Sequence, residues 1–294
     1  MKVYLAACES CYIAEYHKLF PDSRLNILIG YGSPASKGLD FMLNRFRDKI
    51  GSIMLDAGTY ELNNGKKSAS PMALTLTGYK TYLKYFGNRF NHYFNFDEDF
   101  STEGMMTNLC NLEELEKSGL SPIPVVHDIY GDEIPLFIER GYKYIALGSS
   151  QITSKKHLEH VMRQFAGTEI KVHLFGNSSF EYLSNFPIYS CDSARWAHST
   201  RNGVLYFWNH EKPGLNKTEQ IILDRINGPS KSNTILKTGG HKEFINLIQD
   251  KFGIDIITLL SFWDYQHLIN IHYMVELETA INKIQREEGF YTAE

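Results

Sequence analysis

Short apolar runs alternate with amphipathic segments along the first two thirds of the chain. Eight runs have the length and composition of strands: VYLAAC (3–8), LNILIGY (25–31), SIMLDA (52–57), HYFNFD (92–97), IPVVHD (123–128), YKYIALG (142–148), IKVHLFG (170–176) and PIYSCD (187–192). Such runs are typical of parallel strands covered on both faces. Helical patterns lie between them near 36–49, 71–87, 103–118, 131–141, 154–165 and 178–185, whereas the link 9–24 is irregular. Regular alternation over eight strands predicts an α/β fold, a (β/α)8 TIM barrel.

The pattern changes after residue 192. VLYFWN (204–209) predicts an extra strand, 227–242 a polar loop, and 241–288 two helices that close the barrel. The 294 residues, 43% of them hydrophobic, can form one large core. We therefore expect a single barrel domain over 1–294, with a catalytic core of about 1–210 and a C-terminal helical closure of about 211–294.

Charge and hydropathy limit the partners. The net charge is −4, whereas proteins that bind nucleic acid through bulk charge are usually basic, so a polynucleotide would need a local basic surface. No apolar run approaches the roughly 20 residues of a membrane span, and polar CESCY interrupts the first apolar run where a signal peptide would continue. These features favour a cytoplasmic protein without a membrane partner, and they leave a homodimer open.

The cysteines raise the question of a metal. Cys8 and Cys11 form a CxxC motif, but no second CxxC or neighbouring His pair completes a zinc site. A redox pair stays open, while a strand end with two buried thiols is favoured. We expect no metal and no cofactor.

Polar residues gather where the predicted strands end, which is where barrel enzymes place their chemistry. An Asp after a strand is often a cap or turn residue, so each carboxylate taken alone also fits a structural role. Asp192 is followed by arginines, which indicates either an ion pair or a nucleophile beside an anion site. The strand-end set is Asp56, Asp97, His127 with Asp128, Gly148, Phe175 with Gly176, and Asp192.

Over roughly residues 50–210 these motifs resemble those of the tRNA-guanine transglycosylase superfamily, in particular its smaller members that insert 7-deazaguanine into DNA. DAGTY at 56–60 is similar to the family's DSGGYQ, and FDED at 96–99 to its FDEC. Gly141-Tyr142 leads to the glycine-bearing strand end at Gly148, and HLFG at 173–176 resembles a segment ending in Met-Gly. The most specific likeness is YSCD through RNG (189–203), which resembles FDCVLPTRxxRNG.

The resemblance implies a pentosyltransferase that replaces guanine in a polynucleotide with a free 7-deazaguanine, such as 7-cyano-7-deazaguanine. Asp192 would be the nucleophile that forms a covalent glycosyl-enzyme, and Asp56 would carry protons. Asp97 would recognise the guanine edge, and Tyr60 and Phe175 would sandwich the base. The substrate-binding set would also include His127 and Gly148, with phosphate contacts from Arg195, His198, Arg201 and Lys66-Lys67. Lys155-Lys156 reads instead as solvated surface.

Three departures from the family pattern shape the alternatives. Val126-His127-Asp128 replaces the family's Gln-Gly-Gly, and His198 replaces the first of its two arginines. The zinc motif and the subdomain that help seat tRNA are missing from the sequence, which favours DNA as the substrate. If the gene is phage-encoded, the expected location is the host cytoplasm. The same exchange on tRNA, of the queuosine or archaeosine type, stays an alternative. So do a non-catalytic partner subunit and an unrelated hydrolase with paired carboxylates.

Overall fold

The protein is described by a computed structural model over residues 1–33, 38–63, 74–148, 151–223, 235 and 241–290. Eight parallel strands form one sheet in the order β4-β3-β2-β1-β8-β7-β6-β5. The strands are β1 Lys2–Ala6, β2 Leu25–Gly30, β3 Ile50–Asp56, β4 His92–Tyr93, β5 Val125–Val126, β6 Tyr144–Leu147, β7 Lys171–Leu174 and β8 Ser190–Ser193. All eight lie within the predicted runs or extend them by two residues at most.

The sheet closes on itself between its two shortest strands, β4 and β5. The Ile123 N–H donates to the carbonyl of Tyr93 over 2.8 Å, and the Asn95 N–H donates to the carbonyl of Ile123 over 2.9 Å. Phe94 and Ile123 form a parallel bridge at the same place. Because β4 and β5 stand at opposite ends of the strand order, these bonds close a barrel, and the predicted (β/α)8 fold is confirmed.

Helices follow the strands in alternation. They are α1 Ser10–Leu19, α2 Leu39–Phe46, α3 Tyr60–Asn63, α4 Leu76–Phe86, α5 Met105–Lys117, α6 Glu133–Glu139, α7 Lys155–Gln164, α8 Phe180–Asn185 and α9 Arg195–Arg201. The six predicted helices are confirmed where the structure describes them; residues 36–37 and 71–73 lie outside the described part. The irregular link expected at 9–24 is wrong, because α1 buries Ile13, Tyr16 and His17 on one face with helical spacing.

Two apolar layers hold the barrel. The larger layer lies between the strands and the surrounding helices. The smaller layer fills the barrel interior and consists of Tyr4, Leu28, Met54, Phe94, Ile123, Val125 and Ala146. Strands buried on both faces explain why the sequence runs are continuously apolar rather than alternating.

The C-terminal part adds a hairpin and three helices. Strands β9 Val204–Trp208 and β10 Thr218–Ile222 pair antiparallel, so the extra strand is confirmed and its partner was missed. Helices α10 Lys242–Phe252, α11 Ile256–Ser261 and α12 Trp263–Glu287 follow, one more than predicted. Most of the loop expected at 227–242 lies outside the described residues. The expected single domain, with a core ending near 210, stays a prediction.

Helix α12 is joined to the N-terminal end of the barrel by a buried carboxylate. Glu278 accepts the backbone N–H of Val3 over 2.6 Å and the side-chain amide of Asn26 over 3.0 Å. Within the described residues, no helix is both long and apolar enough to cross a membrane.

Candidate active site

The strand-end residues lie around one mouth of the barrel. Because all eight strands are parallel in a closed barrel, their C-terminal ends meet at the same end. Asp56 is the last residue of β3 and Asp192 is the last but one of β8, while residues 97, 127, 148 and 175 follow β4 to β7 in that order. The expectation that Asp56 and Asp192 share a mouth agrees with the electrostatic effect of Asp192 on Asp56.

Asp192 is held from one side through a single oxygen. Asp192 is buried, with 7% of its surface exposed, and its Oδ1 accepts the backbone N–H of Gly176 over 2.9 Å. The Nε2 atom of His173 lies 3.4 Å from the same Oδ1. Of the two interpretations of the sequence, an ion pair with a following arginine is not seen among the described residues, because the side chain that faces Asp192 is His173 of β7.

Behind His173 stands a short series of hydroxyl groups. His173 is fully buried, and its Nδ1 lies 2.6 Å from the Oγ of Ser190. The same Oγ lies 2.5 Å from the hydroxyl of Tyr144. Ser190 and Tyr144 are thus connected to the candidate nucleophile through the imidazole.

Asp56 has a different environment. Burial raises the pKa of Asp56 from 3.8 to about 6; the negative charge of Asp192 adds to this, while the N–H of Gly58 opposes it. Gly58 has a φ of 76°, and a Cβ there would lie 2.6 Å from the carbonyl oxygen of Tyr31. Only glycine fits this turn without strain, so the residue that donates to Asp56 is set by backbone geometry.

Asp97 forms a second carboxylate–histidine pair on the other side of the mouth. It is 3% exposed; Oδ1 accepts the amide N–H of Asn95 over 2.6 Å, and Oδ2 lies 3.3 Å from Nε2 of His127. Burial by itself lowers the pKa of His127, but the hydrogen bond and charge of Asp97 outweigh it, and the net pKa is raised. The imidazole is thus biased towards its charged form.

His127 is held in place through both its ring and its backbone. Phe100 stacks on it at 4.5 Å with an interplanar angle of 14°. Glu133 accepts the backbone N–H groups of His127 and Asp128 over 2.6 and 2.8 Å. A Cβ at Gly148 would lie 3.2 Å from Nδ1 of His127, so the missing side chain at Gly148 makes room for the ring.

The two aromatic residues that were expected to sandwich a base differ in how exposed they are. Phe175 packs against Phe94 at 4.5 Å and against His173 at 4.7 Å, which places its ring at the top of the interior layer. Tyr60 begins the short helix α3 and is 65% exposed. The structure therefore shows one ring at the floor of the mouth and one exposed at its rim.

The expected basic residues lie on one short helix. Arg195, His198 and Arg201 are all exposed on α9, and the guanidinium of Arg195 lies 5.4 Å from the centre of the Tyr206 ring. Lys66 and Lys67 lie outside the described residues. Lys155 and Lys156 are exposed at the start of α7, as expected for solvated surface.

The CxxC prediction of two buried thiols is half wrong. Cys8 is buried at the end of β1, whereas Cys11 is exposed because α1 begins at Ser10 and turns its side chain outwards. Burial raises the pKa of the Cys8 thiol, which makes it unreactive. Among the described residues no group of three or more His, Cys, Asp or Glu side chains is placed to hold a metal; the absence of zinc stays a prediction.

Several residues of the site were missed from the sequence. They are His173, Ser190, Tyr144, Asn95, Glu133 and Phe100. Polar residues inside otherwise apolar strand runs, as in KVHL and SCDS, were the available signal for His173 and Ser190. For the others the contacts join separate elements, and no local pattern marks them.

Comparison with known proteins does not assign this chain to a family. The sequence matches no protein-family model and no curated protein. Among solved structures, the YdjI aldolase from Escherichia coli K12 is similar over 97% of this chain and 90% of that chain, with 9% identity and a TM-score of 0.46.

Proposed function

We propose that this protein is a pentosyltransferase that exchanges guanine in a polynucleotide, DNA rather than tRNA, for a free 7-deazaguanine base. The proposal combines the motif resemblance over residues 50–210 with the chemistry available at the mouth. The substrate would enter with its nucleotide flipped out of the stack, because the reacting bond is inaccessible within a duplex.

The observation that carries the proposal is the unequal environment of Asp56 and Asp192. Asp56 has a pKa of about 6, so it exchanges a proton readily near neutral pH. Asp192 is supported by a backbone N–H and a histidine on Oδ1, an arrangement that suits an anion. Two neighbouring carboxyl groups with separated tasks are what a glycosyl transfer with one nucleophile and one proton carrier requires.

In the first half of the reaction, the Asp192 carboxylate attacks C1′ and forms a C1′–O ester bond. The C1′–N9 bond breaks, and its electron pair leaves with guanine. Protonated Asp56 transfers its proton to the departing base, which is released neutral. Asp56 is then a carboxylate.

In the second half, the free 7-deazaguanine takes the position of guanine. Its N9 attacks C1′, the C1′–O bond breaks, and the electron pair returns to Asp192. Asp56 accepts the proton that N9 loses, which restores both carboxyl groups to their initial states. No external oxidant, reductant or metal enters this balance.

In this proposal, residues on the opposite side of the mouth recognise the base. Asp97 would accept hydrogen bonds from the N1–H and 2-amino groups that guanine and 7-deazaguanines share. His127, biased towards its charged form, would donate from Nδ1 beside Gly148 to the base carbonyl. Phe175 and Tyr60 would stack on the two faces of the ring.

The exposed basic residues of α9 would contact the phosphates, since they lie directly after the strand that carries Asp192. Lys66 and Lys67 are further candidates from the loop after α3. Contacts of this kind give affinity without sequence selection, so the preference for DNA rests on the absence from the sequence of the family's zinc motif.

The test is a base-exchange assay with labelled guanine and either duplex DNA or tRNA, followed by separation of polymer from free base. We expect label in DNA and little in tRNA. The Asp192→Asn variant should incorporate none, while Asp250→Asn, an exposed carboxylate of α10, should behave as wild type. Failure of both polymers to take up label would overturn the proposed exchange, and uptake by tRNA alone would overturn the preference for DNA.

A further inference from the structure

We propose that Tyr144, Ser190 and His173 form a directed series of hydrogen-bond donors that holds Asp192 through Oδ1 and presents Oδ2 to the sugar. His173 is then a positioning residue, since it acts on the reaction through Asp192. The proposal deepens the proposed function and rests on it for its kinetic consequences, but its structural part can be tested without turnover.

The first argument is the unusual place of the imidazole. His173 is fully buried in the barrel interior, where Tyr4, Phe94 and Phe175 surround its ring at centroid distances of 6.3, 5.0 and 4.7 Å. Within the described residues its Nε2 atom makes no hydrogen bond of good geometry, yet it lies 3.4 Å from Asp192 Oδ1. A polar atom buried among aromatic rings is costly unless it has a partner, and the carboxylate is the partner within reach.

The second argument fixes the direction of the hydrogen bonds. If Nε2 carried a lone pair, it would face the anionic oxygen and repel it, so the favoured neutral tautomer has its proton on Nε2. Nδ1 is then an acceptor, and the hydroxyl of Ser190 must donate to it over 2.6 Å. Having used its only proton, Ser190 accepts from the hydroxyl of Tyr144 over 2.5 Å. Every donor in the series points towards Asp192.

The third argument concerns the carboxylate itself. Both of its contacts with described residues, Gly176 N–H and His173 Nε2, fall on Oδ1. Oδ2 is therefore the oxygen that can attack C1′. Two donors on one oxygen also fix the carboxylate plane, which keeps Oδ2 in position.

The series has its largest effect when the glycosyl-enzyme is resolved. In the ester, Asp192 carries no charge; as the C1′–O bond breaks, negative charge develops on the carboxylate again. Donors aimed beforehand at that charge lower the barrier without reorganisation, as in other preorganised sites. Loss of the donors should therefore slow resolution more than formation, and the covalent adduct should accumulate.

The barrel offers a matched control for Ser190. Tyr4 donates to the Oγ of Ser52 over 2.8 Å, which is a second buried tyrosine–serine pair in the same interior. Ser52 is as fully buried as Ser190, and it lies on β3, where its hydroxyl binds Tyr4 and, among the described residues, makes no hydrogen bond to His173. Ser52→Ala removes the same chemical group from the same layer, so it reports the purely structural cost.

The kinetic experiment traps the covalent adduct on guanine-containing DNA and chases it with excess 7-deazaguanine. We expect His173→Phe, which preserves an aromatic ring but no donor, to resolve the adduct about 100-fold more slowly, within the range for loss of one preorganised donor. Ser190→Ala should slow it about 10-fold, and His173→Gln, which can still donate, should fall between His173→Phe and wild type. Ser52→Ala should stay close to wild type. Equal resolution rates for Ser190→Ala and Ser52→Ala would overturn the proposal.

The structural experiment needs no substrate. Long-range proton–nitrogen NMR correlations distinguish the two neutral tautomers of histidine, and the His173 signal is identified by its loss in His173→Phe. We expect the Nε2–H tautomer in wild type and a shift towards Nδ1–H in Ser190→Ala. The Nδ1–H tautomer in wild type would overturn the directed series, whether or not the exchange reaction occurs. If neither polymer takes up label but the tautomer is as expected, only the proposed function fails.

Discussion

Two carboxylate–histidine pairs stand at the same mouth of the barrel and differ in almost everything except their separation. His127 Nε2 lies 3.3 Å from Asp97, and His173 Nε2 lies 3.4 Å from Asp192. In both pairs the histidine and the carboxylate come from different strand units. The distances alone would assign the two pairs the same role.

Their surroundings separate them. Around His127 the nearby groups are acidic, and the charges of Asp97 and Glu133 raise its pKa against the effect of burial. Around His173 the nearby groups are aromatic rings and a serine hydroxyl. The first environment favours an imidazolium, whereas the second gives the ring a hydroxyl partner on Nδ1 and a carboxylate beside Nε2.

Asp56 is a third carboxylate at this mouth, and its donors include the backbone N–H groups of Ala57 and Gly58. Burial and the charge of Asp192 raise its pKa to about 6. In the proposed function, the partners of the three aspartates at this mouth decide which of them recognises the base, which attacks the sugar and which transfers the proton.

The largest expected effect comes from removing the charge of Asp192. The same substitution at Asp97 then distinguishes the two pairs. Asp192→Asn should lower the exchange rate about 10⁴-fold or more, because a neutral amide cannot attack C1′. Denaturing gels should show a covalent protein–DNA adduct with wild type and with Asp97→Asn, and none with Asp192→Asn. An adduct on Asp192→Asn would show that the nucleophile lies elsewhere.

The corresponding substitution in the other pair should weaken binding of the free base. Asp97→Asn replaces one acceptor oxygen by a donor that faces the purine N1–H, so the KM for the free base should rise about 10- to 100-fold, the range for a charged hydrogen bond. Initial rates over a range of base concentrations measure it. A fall in kcat with KM unchanged would place Asp97 among the reacting groups.

The raised pKa of Asp56 should be visible in how the free energy of unfolding depends on pH. Between pH 3.8 and about 6 the unfolded chain releases the proton of Asp56 while the folded protein retains it, so stability falls as pH rises through this window. Asp56→Asn removes that penalty and should be more stable than wild type by about 1–3 kcal/mol at pH 8, with a much smaller gain near pH 4. Urea unfolding at both pH values checks this, and an equal gain at both would contradict the raised pKa.

The His127 pair should also lose stability as pH rises, but here the loss is that of a favourable interaction with Asp97. A histidine whose pKa is raised on folding stabilises the protein below its unfolded pKa, and this stabilisation is lost as pH rises through the folded pKa. The loss of Tm in Asp97→Asn should therefore be larger at pH 6 than at pH 9. Wild type and variant are compared in the same two buffers, and a loss independent of pH would indicate that the imidazole stays neutral.

The smallest effect concerns the space around His127. A Cβ at Gly148 would lie 3.0 Å from the carbonyl oxygen of Val126 and 3.2 Å from Nδ1 of His127. Gly148→Ala should cost about 1 kcal/mol of stability and weaken base binding several-fold, because the ring must shift. Gly87→Ala is the control, since its Cβ would meet nothing nearer than 3.9 Å. Equal effects of both substitutions would contradict the close fit.

Much of the barrel could be predicted from local pattern. Parallel strands covered on both faces are continuously apolar, so each run was visible by itself, and the strands lie where the runs predicted. The exception, α1, shows the limit: its amphipathic face includes Tyr16 and His17, which a hydrophobicity pattern does not count as core residues. Both are buried because other elements cover them.

The sequence alone determined the barrel and the strand-end positions of its three aspartates, because periodicity and chain direction are local properties. Only the tertiary structure decided which aspartate meets which histidine. The pair His173–Asp192 depends on the pairing of β7 with β8. The pair His127–Asp97 joins residues after β5 and β4, so it depends on closure of the sheet. The pKa of Asp56 likewise depends on burial and on a charge 136 positions further along the chain. Burial and charge act through space, and folding brings these groups together.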